Sequence, residues 1–181
     1  MLRLFLAVDL PDDVRHVVAG LRADIHGARW VKPHQLHITL RFMGDTPEET
    51  VPAIVERLAQ VRLAPFTLTL GHAGTFPSER KARVLWLRLD PALPLRELAS
   101  NIDRALSPDG SAALREFSPH LTLARLKERP DAGLRRFLVE HADDRGPSWK
   151  VDCFRLYRSM LHANGAVHDT IATYPLSPFR R

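Results

Sequence analysis

The apolar positions through Met1–Leu10, interrupted by Arg3 and Asp9, read as a strand, and the run stops at Pro11. Pro11, Asp12 and Asp13 then suit the first turn of a helix, where proline fits and acids meet the positive end of the dipole. Val14, Val17, Val18, Leu21 and Ile25 follow at helical spacing and are expected on its core side. Trp30 to Leu40 reads as extended chain broken at Pro33, and Thr46, Pro47, Glu48 and Glu49 as the capped start of a second helix with Val51, Ile54, Val55 and Leu58 inward.

Strands are expected at Phe66–Leu70 and Val84–Leu89, with a loop over Gly71–Arg83 between them. A third helix covers Leu95–Leu106, and the polar stretch Ser107–Ser111 ends it. A strand at Phe117–Leu126 and a short helix at Leu134–His141 follow, and Trp149–Leu176 reads as strands turned at Asn164-Gly165, a strong hairpin signal. Strands alternate with helices, yet several neighbours are hairpin-linked, so the sheets should be mixed or antiparallel and the fold class α+β.

Composition narrows the function classes. At 181 residues, 45% hydrophobic and 26% charged, the chain can bury a full core without a metal or disulfide staple. Its one cysteine, Cys153, excludes an internal disulfide and fits a packed, inert thiol in a reducing compartment. The longest early apolar run, Leu4–Val8, is five residues and meets Asp9, too short for a signal peptide or a membrane span, so a soluble cytoplasmic protein is expected. The net charge of +5 comes mostly from arginine, which suits bidentate contact with phosphate but equally a solvated surface. Glycine-rich phosphate loops, paired Cys-x-x-Cys motifs and a Gly-x-Ser-x-Gly elbow are absent from the sequence.

Two short segments match each other: His37-Ile38-Thr39-Leu40 and His120-Leu121-Thr122-Leu123, 83 positions apart. In a strand, each His and Thr share one face and the two apolar residues take the other. One such segment is an ordinary strand histidine; with nine His and nine Thr in the chain, only about 0.1 His-apolar-Thr-apolar matches are expected by chance, so the duplication is the signal. Two imidazoles at one site can act as acid and base near neutral pH, one taking a proton from water and the other giving one to a departing ribose oxygen. Two hydroxyls beside them can donate to non-bridging phosphate oxygens as charge builds. Such a site suits in-line displacement at a phosphodiester, and the sequence implies no metal and no cofactor.

The chain resembles the two-histidine phosphoesterases, and within them the bacterial RNA 2',3'-cyclic phosphodiesterase (2'-5' RNA ligase) family. The resemblance runs through Arg3-Leu4-Phe5-Leu6-Ala7-Val8 with Leu10-Pro11, Trp30-Val31, Phe42-Met43-Gly44-Asp45, Gly74-Thr75-Phe76-Pro77 with Arg83-Val84-Leu85-Trp86, Phe117–Arg125, and Tyr157-Arg158-Ser159 to Tyr174-Pro175-Leu176. It implies one bilobal domain over residues 1–181 with pseudo-twofold symmetry, each lobe giving one motif to a central cleft. It also implies hydrolysis of RNA 2',3'-cyclic phosphate ends to 2'-phosphates, tRNA halves being candidate substrates, and a related ATP-independent 2'-5' joining reaction. His37 and His120 carry over as the acid/base pair and Thr39 and Thr122 as phosphate ligands. Formation of a 2'-phosphate makes the 3'-oxygen the leaving group, so His37 is assigned as the acid and His120 as the base, although motif symmetry alone leaves the two interchangeable. A phosphodiesterase for small cyclic nucleotides or other 2'-5' linked substrates, and a non-catalytic RNA-end binding module, are the alternatives.

Arg125, just past the second motif, is a candidate phosphate ligand, against a plain surface arginine. Phe42, just past the first, is a candidate base-stacking residue, but its odd spacing from His37 and Thr39 puts it on the opposite strand face unless the strand ends or twists there. His34 with His37 and His120 lacks a carboxylate at ligand spacing and is not read as a metal site. His72, His162 and His168 are expected at the surface, and Arg80-Lys81-Arg83 forms a basic loop that either guides RNA or is merely solvated. No heptad or exposed edge signal argues against a monomer.

Overall fold

The computed structural model describes residues 1–107, 117–162 and 165–178. Nine strands and four α-helices are built in these segments: β1 (Leu2–Asp9), α1 (Asp12–Gly20), β2 (Ala28–Trp30), β3 (His37–Thr46), α2 (Val51–Leu58), β4 (Phe66–Phe76), β5 (Val84–Asp90), α3 (Ala92–Leu106), β6 (His120–Leu126), α4 (Ala132–Glu140), β7 (Ser148–Val151), β8 (Cys153–His162) and β9 (Gly165–Pro175). The strands form a four-stranded sheet ordered β3-β1-β8-β9 and a five-stranded sheet ordered β2-β6-β5-β4-β7. Every described pairing is antiparallel. The α+β expectation holds, with antiparallel rather than mixed sheets.

The two motif strands belong to different sheets and approach each other across the junction. β2 pairs with β6 in the larger sheet, and the chain then crosses to β3 in the smaller one, with Val31 N–H bonded to Leu123 O at 2.8 Å. In β1, Leu4, Leu6 and Val8 join the main core, while Phe5 and Ala7 on the other face form a smaller buried cluster with Tyr157. Burial on both faces explains why this strand is apolar nearly throughout. In α3, Leu95, Leu98, Ala99 and Ile102 are buried at the spacing of one helix face, each large side chain contributing about 1.5–3 kcal/mol. Asp131 caps α4, its carboxylate accepting from Leu134 N–H at 2.8 Å. That bond holds the Asp131 carboxyl below its ordinary range.

Several boundaries differ from the sequence reading. α1 stops at Gly20, so Leu21 and Ile25 pack from the segment beyond it, and Val17 is exposed. Thr46 ends β3 instead of capping a helix; it is buried, and its hydroxyl donates to Gly44 O. α2 begins later, at Val51, with Pro52 in its first turn. The strand at Phe66 runs on to Phe76 through an irregularity between Leu70 and Ala73, shortening the expected loop. β8 and β9 pair out to His162 and Gly165, as a tight hairpin requires; Asn164, and most of the stretch expected to end α3, lie outside the described residues.

Candidate active site

Both motifs begin their strands, and both histidines are anchored in the same way. His37 Nδ1 lies 2.7 Å from Gln35 O, and His120 Nδ1 lies 2.8 Å from Ser118 O. A carbonyl oxygen only accepts, so each Nδ1 carries the hydrogen and each Nε2 is left for chemistry. Each ring also rests on a phenylalanine: Phe5 at 4.9 Å from His37, and Phe76 edge-on at 5.0 Å from His120. Arg15 fixes the turn that carries Gln35 by donating to Pro33 O at 2.7 Å, Leu36 O at 3.2 Å and Leu10 O at 3.0 Å. Phe5 in turn stacks on Tyr157, whose hydroxyl donates to Asp9, the residue that also pairs with Arg155.

The fourth residue of each motif is a β-bulge. On β3, Ala7 faces Thr39 and Leu6 faces Arg41, leaving Leu40 extra; on β6, Trp86 faces Thr122 and Leu85 faces Ala124, leaving Leu123 extra. An extra residue reverses the strand parity beyond it. Phe42 therefore pairs with Phe5 on the face of Thr39 and His37, and Arg125 pairs with Val84 on the face of Thr122 and His120. The strand neither ends nor needs to twist there; the extra residue supplies the change of face that Phe42 requires. Arg41 takes the other face and binds Asp103 of α3 at 2.5 Å.

A cleft of about 720 Å³ collects His37, Thr39, Phe42 and Arg125, together with Arg3, Arg29 and His168. His120 and Thr122 are not among its lining residues; they stand on the strand that delivers Arg125 to it. Among the described residues, three arginines and no carboxylate line this cleft, so it favours an anion. Phe42 is 47% exposed, with the Arg3 guanidinium 5.1 Å over its ring, which suits a rim platform rather than core packing. Burial lowers the pKa of His37 to about 4, with the facing His168 and Arg15 adding to the shift against the opposing pull of the Gln35 carbonyl. Its imidazole is thus neutral in the protein alone.

This chain matches the pattern of the 2'-5' RNA ligase superfamily over residues 10–161. A protein named RNA 2',3'-cyclic phosphodiesterase from Thermus thermophilus is 36% identical, with 97% of this chain and 90% of that protein covered. One of the same name from Archaeoglobus fulgidus is 31% identical over 96% of this chain and 99% of its own. The chain belongs to the 2'-5' RNA ligase superfamily. Among solved structures, TT0787 of Thermus thermophilus superposes with a TM-score of 0.79 at 31% identity, covering 98% of this chain and all of that one. E. coli LigT in its apo form gives a TM-score of 0.76 at 29% identity, covering 97% and 98%. This superfamily member therefore has the bilobal two-histidine phosphoesterase fold, with one motif strand in each sheet.

The remaining histidines divide. His168, expected at the surface, instead lines the cleft: β9 pairs it with Ser159, and its ring lies 5.6 Å from His37. Burial, and then the charge of His34, lower its pKa. Strand alternation would have revealed it had the register of β8 and β9 been known. His34 is exposed, and no group of three His, Cys, Asp or Glu able to hold a metal occurs among the described residues. His72 is half-buried in a separate cleft with Arg88, Asp90 and Arg145. In the basic loop, Arg80, Lys81 and Arg83 are all exposed, and Arg83 donates to Lys127 O at 3.0 Å. Cys153 is half-buried, and burial pushes its thiol pKa up, away from reactivity. Sequence reasoning missed Phe5 and Phe76 as ring supports, and Arg3 and Arg29 as cleft cations. Arg3 and Phe5 share the alternation of β1 with Ala7, which was the available signal.

Proposed function

We propose that this protein is a phosphodiesterase that opens RNA 2',3'-cyclic phosphate ends to 2'-phosphomonoesters through its two motif histidines. The mirrored anchoring of His37 and His120 carries the reading. Each ring presents Nε2 with Nδ1 fixed to a backbone carbonyl, the form in which an imidazole gives or takes one proton at a defined atom. The names of its full-length relatives support the substrate class.

His120 takes a proton from water as the water oxygen bonds to phosphorus. The bond to the ribose 3'-oxygen breaks, and His37 protonates that oxygen, so the phosphate stays on the 2'-oxygen. Burial leaves His37 unprotonated in the protein alone. The cyclic phosphate anion supplies the countercharge that loads it, and a proton held against such a low intrinsic affinity is readily given up. Thr39 and Thr122 donate to the non-bridging oxygens, Arg125 binds the phosphate, and Phe42 stacks on the terminal base. A 5'-hydroxyl in place of water gives a 2'-5' bond by the same displacement, without ATP. The residues invoked act as one bilobal unit spanning 1–181, as a monomer, on RNA ends of the kind found on tRNA halves.

The test is to supply a short RNA with a 2',3'-cyclic end in excess EDTA without ATP and identify the phosphomonoester. A 2'-phosphate is expected. A 3'-phosphate would overturn the leaving-group assignment, and binding without turnover would leave an RNA-end binding module.

A further inference from the structure

His168 is a third imidazole at this site, and neither the water-activating nor the leaving-group step uses it. Its ring stands at 89° to His37 with centroids 5.6 Å apart, and at 75° to Phe5 at 4.9 Å. Its Nδ1 is buried and has no hydrogen-bond partner among the described residues. The ring is only half-buried and lines the cleft, so Nε2 is the polar atom it can offer there.

This placement fixes the form of the ring. An imidazolium would bury a charged, unpaired N–H at Nδ1, in a cleft that already holds Arg3, Arg29 and Arg125. The neutral ring can hold its hydrogen at either nitrogen. A buried donor without an acceptor is the rarer and costlier arrangement, so the hydrogen belongs on Nε2. A neutral N–H donor beside the acid imidazole suits an anionic oxygen, because it adds a hydrogen bond without competing for the proton that His37 must hold.

We infer that His168 is a further substrate-binding residue, donating from Nε2–H to an oxygen of the phosphate held beside His37. The inference rests on the phosphodiester reading of the site, but it is tested through binding rather than turnover. Adenosine 2'-phosphate is titrated into the wild type and into His168→Ala, His168→Gln and His168→Phe, with thermal unfolding of each protein recorded alongside.

Glutamine keeps a donor, and phenylalanine keeps the packing against Phe5 and His37. The expected result is about ten-fold weaker binding for the Ala and Phe variants, the size of a lost hydrogen bond to a charged group, and binding within about threefold of wild type for Gln. Phe restoring full affinity while Gln does not would show packing alone and overturn the inference. So would wild-type affinity in all three variants, or no binding by the wild type. A wild type that binds as expected but turns nothing over would instead overturn the hydrolase reading and leave the role of His168 standing.

Discussion

Phe42 and Arg125 occupy equivalent places, each five positions beyond its motif histidine and each turned onto the cleft side by a bulge at the leucine of its own motif. The duplication is therefore one of backbone geometry as well as sequence. It gives the two sides of the cleft different chemistry, an aromatic plate on one and a guanidinium on the other.

Exposed residues of this kind should affect binding more than folding. Phe42→Ala is expected to raise KM for an RNA substrate roughly ten-fold, since stacking of one base contributes about 1–3 kcal/mol, while Phe42→Trp retains most of the affinity. Arg125→Ala should cost about ten-fold or more in kcat/KM and flatten the salt dependence. Both variants should melt within a few degrees of wild type. Steady-state kinetics with thermal unfolding checks this, and a large fall in melting temperature with unchanged KM would contradict the placement.

Alternation showed the motifs, the faces of His37, Thr39, His120 and Thr122, and most strands and helices. It could not show the bulges. An extra residue in a ladder is a matter of backbone pairing, and Leu40 and Leu123 look like any inward leucine. Phe42 was thus legible as a candidate but sat on the wrong face by simple counting. Thr46 failed for a different reason: a residue with good capping chemistry was used to finish a strand whose pairing with Leu2 outweighed the local signal. His168 was hidden because its place depends on register across a hairpin that brings it beside a strand more than a hundred residues earlier.

His37 should make stability depend on pH. Its pKa is about 4 in the folded protein against about 6.5 when exposed. Between those values the unfolded chain binds a proton that the folded one does not, so stability falls as pH drops through this window. The loss reaches on the order of 3 kcal/mol by its lower end. His168, shifted the same way, adds to it. Denaturant midpoints for wild type and His37→Gln from pH 7.5 to 4.5 should show a shallower decline in the variant. Identical slopes would contradict the burial argument.

The same burial predicts proton uptake when substrate binds. His120→Ala lacks the base but keeps His37, so a nucleoside 2',3'-cyclic phosphate can be bound without turnover. Calorimetry at pH 6 in buffers of different ionisation enthalpy should report uptake approaching one proton. The His37→Gln/His120→Ala double variant should report nearly none. Equal uptake in both would remove His37 as the group that the phosphate loads.

Gly74 is required by the ring beside it. A Cβ at this position would lie 2.3 Å from the Trp86 ring, which stands on β5 opposite Thr122 and packs on Phe76. Gly74→Ala should destabilise the protein by about 1–3 kcal/mol, read from denaturant unfolding, because the indole must leave its place. An unchanged midpoint would show that the ring moves freely.

The most direct test of the account compares wild type, His37→Ala, His120→Ala and the double variant on RNA with a 2',3'-cyclic phosphate end, in EDTA, under single-turnover conditions. If the two imidazoles act as one acid/base unit, each single variant loses about 10²–10⁴-fold in rate, and the double variant loses far less than the product of the two. Either single variant turning over within a few fold of wild type would contradict the account, because one histidine would then suffice for the reaction.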